Sequence, residues 1–389
     1  MDDSQDQASV DGEGPSEIEK RGADGVGADR EAVEALHNIF FSLWRFGSSA
    51  LVGWVATPGG IEIIAIPKIR LFANAQPPRR VFSGERRMGR ATFAEVAAAF
   101  EVQPIEIRLD TPIGTGAGEI APETVERMFT SFAVNKTDQR AVFLLDIVGF
   151  SKLTPELQAS QLSTLEFALN VAGEAAKERG FSVEIGRSTT GDGFYVWNRR
   201  KGIEADVGLF VVLALFVTYF GSLKRQIVMP EAVPEIRTCI GIGSHYTYHQ
   251  PSADGGRSSE YIVGEVTISL ARLIDKARGG QILIGDFYRL DEAINQWVSP
   301  DAFVERVSAA LSTVGDVVTP SGRLDRFAFY LTGPRDGDGR FRTQVLKVID
   351  KHGFAHLCYN AKLNIHFGDG EPLFFGLPHF VLLGNVNQA

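Results

Sequence analysis

Two acids in this 389-residue chain stand where apolar runs end: Asp146 in FLLDIVGF (143–150) and Asp192 in TTGDGFY (189–195). Taken singly, each reads as structural, Asp146 as a helix-flanking cap and Asp192 as the middle of a tight turn. Taken together they imply chemistry. If the two runs are neighbouring strands, both carboxylates reach one edge of a sheet. Paired hard oxygen ligands suit Mg²⁺ or Mn²⁺ shared with phosphate oxygens. The backbone from Ile147 through Phe150 then turns toward a helix and offers amide donors to such phosphates.

The surrounding patterns place these residues. AVFLLDIVGF (141–150) predicts a buried strand, and TPELQASQLSTLEFALNVAGEAAKERG (154–180) a long helix closed by glycine. FSVEIGRSTT (181–190) and GFYVWNRR (193–200) are strands around Gly191-Asp192-Gly193, and 205–226 is a second helix. EIRTCIGIGSHYTYH (235–249) is a strand, VGEVTISLARLIDKARGG (263–280) a helix and QILIG (281–285) a strand. The order β-α-β-β-α-β specifies an α+β, ferredoxin-like fold. From Val207 to Leu223 no residue is charged, which is the short limit of a membrane span. With Asp206 before it and Lys224-Arg225 after it, the stretch reads as a capped helix buried against a sheet or in a dimer interface, not as a membrane span.

A composition of 44% hydrophobic and 22% charged residues excludes collagen-like and wholly disordered classes. Two cysteines, Cys239 and Cys358, exclude a disulfide scaffold and a four-cysteine zinc site, and they fit a reducing cytoplasm. The net charge of −9 is uneven: the first 34 residues hold eleven acids against three bases. The rest of the chain is close to neutral, which argues against nucleic acid as a partner. Residues 1–28 lack large apolar side chains and read as a disordered acidic tail. Residues 29–138 read as a helix (29–45, capped by Asp29), two strands around Pro58-Gly59-Gly60 and a linker. The basic stretch 77–90 reads as solvated linker, and IGTGAGEI (113–120) as a flexible connection that lacks the strand–loop–helix setting of a phosphate loop. Residues 139–365 then form the domain that carries the chemistry, with 366–389 a C-terminal extension. No basic and apolar leader opens the chain, so no secretory signal is expected.

FLLDIVGFS resembles the F-x-D-I-x-G-F-[ST] signature of class III nucleotidyl cyclases. RSTTGDGFYVWN is similar to their GDG/GDA hairpin, and VGEVTISLARLIDKARGGQILIG to their G-x-x-V-N-x-A-A-R-L…A…G-x-I-x-V helix and strand. The three occur in family order. The resemblance implies a ferredoxin-like cyclase domain that closes a nucleoside triphosphate to its 3′,5′-cyclic monophosphate with release of pyrophosphate. It implies Asp146, Ile147 and Asp192 as the site of two divalent ions, Mn²⁺ or Mg²⁺. It implies Phe150, Ser188 and Tyr261 as substrate-binding residues and Arg272 as the cation on the α-phosphate. The second catalytic cation falls to Lys351, with Lys347 the competitor. Class III sites form between two chains, so a homodimer is implied.

The sequence also departs from the family. Ile268 stands where the family has a ribose-binding asparagine, and Thr267 or Ser269 replaces it only if the register shifts by one. His352 and His356 read as structural or surface residues rather than zinc ligands. At the base-selecting positions this chain has Ser188 and Tyr261 in place of the Lys, Glu, Asp, Thr or Cys of adenylate and guanylate cyclases. That combination, with RSTTGDGFYVW, resembles the pyrimidine cyclases of bacterial Pycsar anti-phage systems. It implies UTP as the favoured substrate, CTP as the second, and a product read by an effector protein. An atypical adenylate cyclase and a degenerate nucleotide sensor stand as the alternatives.

Overall fold

The structure, a computed structural model, describes residues 17–73, 78–116, 118–226, 233–252, 259–315, 317–339 and 341–378. The chain divides into two units, 1–135 with 249–259, and 136–248 with 260–389.

The first unit contains α1 (Glu17–Trp44), β1 (Ser49–Thr57), β2 (Gly60–Pro67), α2 (Lys68–Ala73), α3 (Arg90–Ala99), β3 (Ile105–Arg108) and α4 (Pro122–Thr130). The three strands form one antiparallel sheet in the order β1-β2-β3. Leu36 and Phe40 of α1 pack with Trp54, Phe129 and Phe132 in its core. Helix α1 starts at Glu17, ahead of the expected Asp29, so the acidic tail is helical from there on. Once the apolar turns near Val33 are docked, each further turn toward the N-terminus costs little, because only nucleation is unfavourable. Residues 1–16 lie outside the described residues.

The basic stretch is not a solvated linker throughout. Arg86 is fully buried and donates to the carbonyls of Val81 and Val134 and to Asn135 Oδ1. Burial lowers its guanidinium to about 10, with Glu126 opposing the shift. The Glu126 carboxylate accepts from the Arg86 and Arg87 amides and from Trp54 Nε1. A buried cation is tolerated because both Nη groups meet acceptors, while Nε stays without one. In the glycine-rich loop, Glu119 Oε2 accepts from the Gly116 amide at 2.6 Å, so the chain's own carboxylate takes the place of an anion.

The second unit runs through β4 (Asn135–Ile147), α5 (Pro155–Glu178), β5 (Ile185–Thr189), β6 (Gly193–Asn198), α6 (Ile203–Gln226), β7 (Ile236–Gln250), β8 (Ser259–Val263), α7 (Glu265–Ile274) and β9 (Ile282–Gly285). It continues with β10 (Arg289–Asp291), β11 (Gln296–Val298), α8 (Pro300–Leu311), β12 (Val318–Thr319), β13 (Gly322–Leu331), β14 (Val345–Ile349), β15 (Ala355–Phe367) and β16 (Leu373–Phe375). The main sheet has the order β12-β13-β15-β9-β7-β4-β6-β5, with β8 on β7 and with β14 and β16 on β15. Its segment β7-β4-β6-β5 is the ferredoxin-like arrangement expected from the β-α-β-β-α-β pattern. Strands β7 and β9 are parallel and joined through α7.

Helix α6 is the core helix of this unit. Of its span Ile203–Arg225, long and apolar enough to cross a membrane, 89% of the most apolar window is buried inside the fold. Phe210 meets Phe303 of α8 at 5.1 Å between ring centroids. Of the two places expected for this stretch, burial against the sheet is the one observed. The C-terminal extension is partly absorbed as well, because β16 pairs with β15. Residues 379–389 lie outside the described residues.

Candidate active site

Pairing of β4 with β6 sets Asp146 opposite Gly193. A side chain at 193 would bring its Cβ within 1.9 Å of the Leu145 carbonyl, so the second glycine of the GDG turn permits this close approach. Gly191, at φ +100, supplies the left-handed conformation the turn needs. The Ile147 amide donates to the Asp192 carbonyl at 3.0 Å, and Thr190 Oγ1 donates to Asp192 Oδ1 at 3.2 Å. Asp192 is thereby fixed beside Asp146, with the two carboxyls in hydrogen-bonding reach.

Asp146 is buried, and Arg237 Nε on β7 donates to its Oδ2 at 2.6 Å. The same guanidinium donates through Nη1 to the Ala277 carbonyl at 2.9 Å, which anchors it from the side of α7. Burial pushes the Asp146 carboxyl above its ordinary range; Arg237 opposes this and Asp192 adds to it. Two carboxylates held together against their own repulsion, with one guanidinium in partial compensation, are the groups here that could hold a divalent cation. Ile147 is buried beside them. Phe150 is half-buried at the start of a single 3₁₀ turn, Phe150–Lys152, which follows Gly149 at φ +72.

A second cluster gathers at the turn between β14 and β15. Arg272, near the end of α7, faces Asp350 Oδ2 at 3.4 Å. Lys351 is the next residue and is exposed at the tip; the competitor Lys347 is half-buried on β14 opposite Leu357. His352 is exposed, and His356 Nε2 is 3.2 Å from Asp350 Oδ2, a structural role as expected. Among the described residues no hydrogen bond or ion pair joins this cluster to Asp146 and Asp192.

One turn before Arg272, Ile268 is 56% exposed. The register question is closed by Thr267, which is buried and spends its hydroxyl on Gly264. Ser269 faces instead a polar cleft of about 280 Å³ shared with Ser244, Glu265 and Asp286. Tyr261, on β8, lies nearly parallel to Tyr248 of β7 at 5.3 Å and 9°. Ser188 is half-buried on β5, the edge strand, opposite Tyr195. The structure therefore brings Asp146, Ile147 and Asp192 together, groups Arg272 with the Lys351 turn, and leaves Ser188 and Tyr261 in neither cluster.

Sequence reasoning missed Arg237 and Asp350. An arginine two residues into an otherwise apolar strand, predicted to be buried, was the available signal for Arg237. Asp350 carried none beyond its place before a Lys-His-Gly turn.

No family model matches the sequence, nor does any curated protein. Solved structures similar to the chain include the adenylyl cyclase CyaB from P. aeruginosa, at 17% identity over 59% of this chain and 95% of that one, TM-score 0.33. They include the guanylyl cyclase Cya2, at 14% identity over 66% and 98%, TM-score 0.32. The guanylate cyclase domain of RhGC from Catenaria anguillulae, solved in complex with GTP, is 14% identical over 58% and 97%, TM-score 0.35. At these scores the functional reading rests on the chain's own residues.

Proposed function

We propose that the chain is a nucleotidyl cyclase of the class III type. It converts a nucleoside triphosphate to the 3′,5′-cyclic monophosphate and pyrophosphate. The observation that carries this reading is the meeting of Asp146 and Asp192, from two separate signature segments, in one carboxylate pair beside Arg237. Two hard oxygen donors in like-charge contact fit Mn²⁺ or Mg²⁺. Among the described residues no group of three or more His, Cys, Asp or Glu is arranged to hold a metal. The remaining ligands would then come from the triphosphate, as is usual for Mg²⁺. When bound, such ions neutralise the triphosphate and acidify the attacking hydroxyl.

The 3′-oxygen forms a bond to the α-phosphorus, the bond to the bridging oxygen breaks, the hydroxyl proton is released, and pyrophosphate leaves with the electron pair. Arg237 fixes the orientation of Asp146. Arg272 stabilises charge that develops on the α-phosphate, and Lys351 is the second cation. Because no hydrogen bond or ion pair joins the acid pair to the Arg272 cluster among the described residues, we place the complete site between two copies in a head-to-tail homodimer. Mixing Asp146→Ala with Arg272→Ala tests this. Each variant alone keeps on the order of 1% of wild-type activity or less, and random pairing in an equal mixture restores about a quarter of wild-type activity. No recovery, with an active wild type, contradicts the shared site.

For the base, Tyr261 backed by Tyr248 presents a rigid aromatic where the family has a small acceptor, which favours a pyrimidine: UTP first, CTP second. On the same resemblance the cyclic product serves as a messenger to an effector in anti-phage defence. A second reading, a nucleotide sensor without turnover, is favoured by Ile268, since Thr267 spends its hydroxyl on Gly264 and Ser269 lines the cleft of Ser244, Glu265 and Asp286 instead.

A further inference from the structure

We infer that Asp350 is the positioning residue of the cyclase site, holding Arg272 by its Nε while fixing the turn that presents Lys351. The inference rests on the cyclase reading. Asp350 follows β14 directly and its side chain is 4% exposed. Its Oδ1 accepts from the amides of His352 at 2.8 Å and Phe354 at 3.0 Å. Its Oδ2 meets His356 Nε2 at 3.2 Å and Arg272 Nε at 3.4 Å. Backbone bonds from Asp350 N to the Phe354 carbonyl and from Gly353 N to the Asp350 carbonyl close the same turn.

One carboxylate thus ties together helix α7, strand β15 and the loop that carries Lys351. Burial raises the Asp350 carboxyl, but His356, the two amides and Arg272 outweigh it and hold it down to about 2. It is ionised at any working pH. The contact to Arg272 is made at Nε. The two Nη groups carry no hydrogen bond among the described residues, so the outer face of the guanidinium is left for phosphate oxygens. A long, rotamer-rich side chain pinned at its inner nitrogen keeps a two-donor fork aimed in one direction. Lys351 lies between the carboxylate and the amide it bonds, so its backbone is fixed while its side chain stays exposed.

The test is a double-mutant cycle on the full chain with Mn²⁺ and the triphosphate that the wild type turns over. Asp350→Asn retains an acceptor for the turn amides but loses the charge that holds Arg272. It is expected to lower kcat by about 10- to 100-fold, with KM changed less than about threefold, as misplacement of a transition-state group does. In an Arg272→Ala background the same change is expected to have no further effect. Asp350→Ser, which also caps the turn, gives a second reading of the cycle if the Asn variant does not fold. Additive losses from Asp350 and Arg272, or a rate at or above wild type in the Asp350 variants, overturn the inference alone. Absence of cyclic product from the wild type overturns the cyclase reading and the inference together.

Discussion

Asp146 and Asp192 are held in an arrangement that the folded chain, left to itself, resists. Burial and a like-charge neighbour both raise Asp146, and only Arg237 compensates. Sites of this kind trade stability for function. Asp192→Asn removes the repulsion and keeps the backbone bond from Ile147 to the carbonyl of residue 192. Its melting temperature without metal is predicted to rise, on the order of 2 °C for a domain of this size. Mn²⁺, which should raise the wild-type melting temperature by binding the folded state, should no longer do so. Calorimetry with and without Mn²⁺ checks both; a lower metal-free melting temperature contradicts the account. The two acids were legible from sequence because each sits at the end of an apolar run and beside glycine. Arg237 was not, because its partner lies 91 residues away and its strand shows only a mild break in an apolar pattern.

At the scale of elements, periodicity carried most of the fold. The strand ending in Asp146, the long α5, the GDG hairpin, α6 and α7 all stand where their patterns place them. Readings of isolated charge were weaker. The arginines of 77–90 looked solvated, yet Arg86 is fully buried, because its acceptors at Val134 and Asn135 come from a distant part of the chain. Helix α6 shows the reverse: seventeen uncharged residues had two readings, and only the packing of α5, α8 and the sheet around it chose between them. Leu215 lies at its centre with no exposed surface. Leu215→Ala is predicted to cost about 2–5 kcal/mol by removing buried methyl groups and leaving a cavity. Phe167→Ala on α5, 57% exposed, should fall within about 0.5 kcal/mol of wild type. Denaturant titration of both variants checks the contrast, and similar losses would contradict a core role for α6.

At the scale of the whole molecule, the sheet sorts the chemistry into two clusters. The acid pair with Arg237 lies at the ends of β4, β6 and β7, and the cation group Arg272, Asp350 and Lys351 lies where α7 meets the β14–β15 turn. Three dispersed sequence signatures pointed to one reaction, and folding gathers the first two while leaving the third in a separate cluster. That separation is the physical reason a second copy of the chain enters the account. The residues expected to select the base were the least legible part, since Ser188 and Tyr261 are chemically versatile and stand in neither cluster. The most direct test is to incubate the full chain with Mn²⁺ and each of ATP, GTP, CTP and UTP, with Asp146→Ala as control, and to identify products by mass spectrometry. The account predicts pyrophosphate and a 3′,5′-cyclic pyrimidine monophosphate in equal amounts, both absent from the variant. Cyclic AMP would overturn the base assignment alone. No cyclic product from any of the four, or a nucleoside diphosphate with free phosphate, would contradict the cyclase itself.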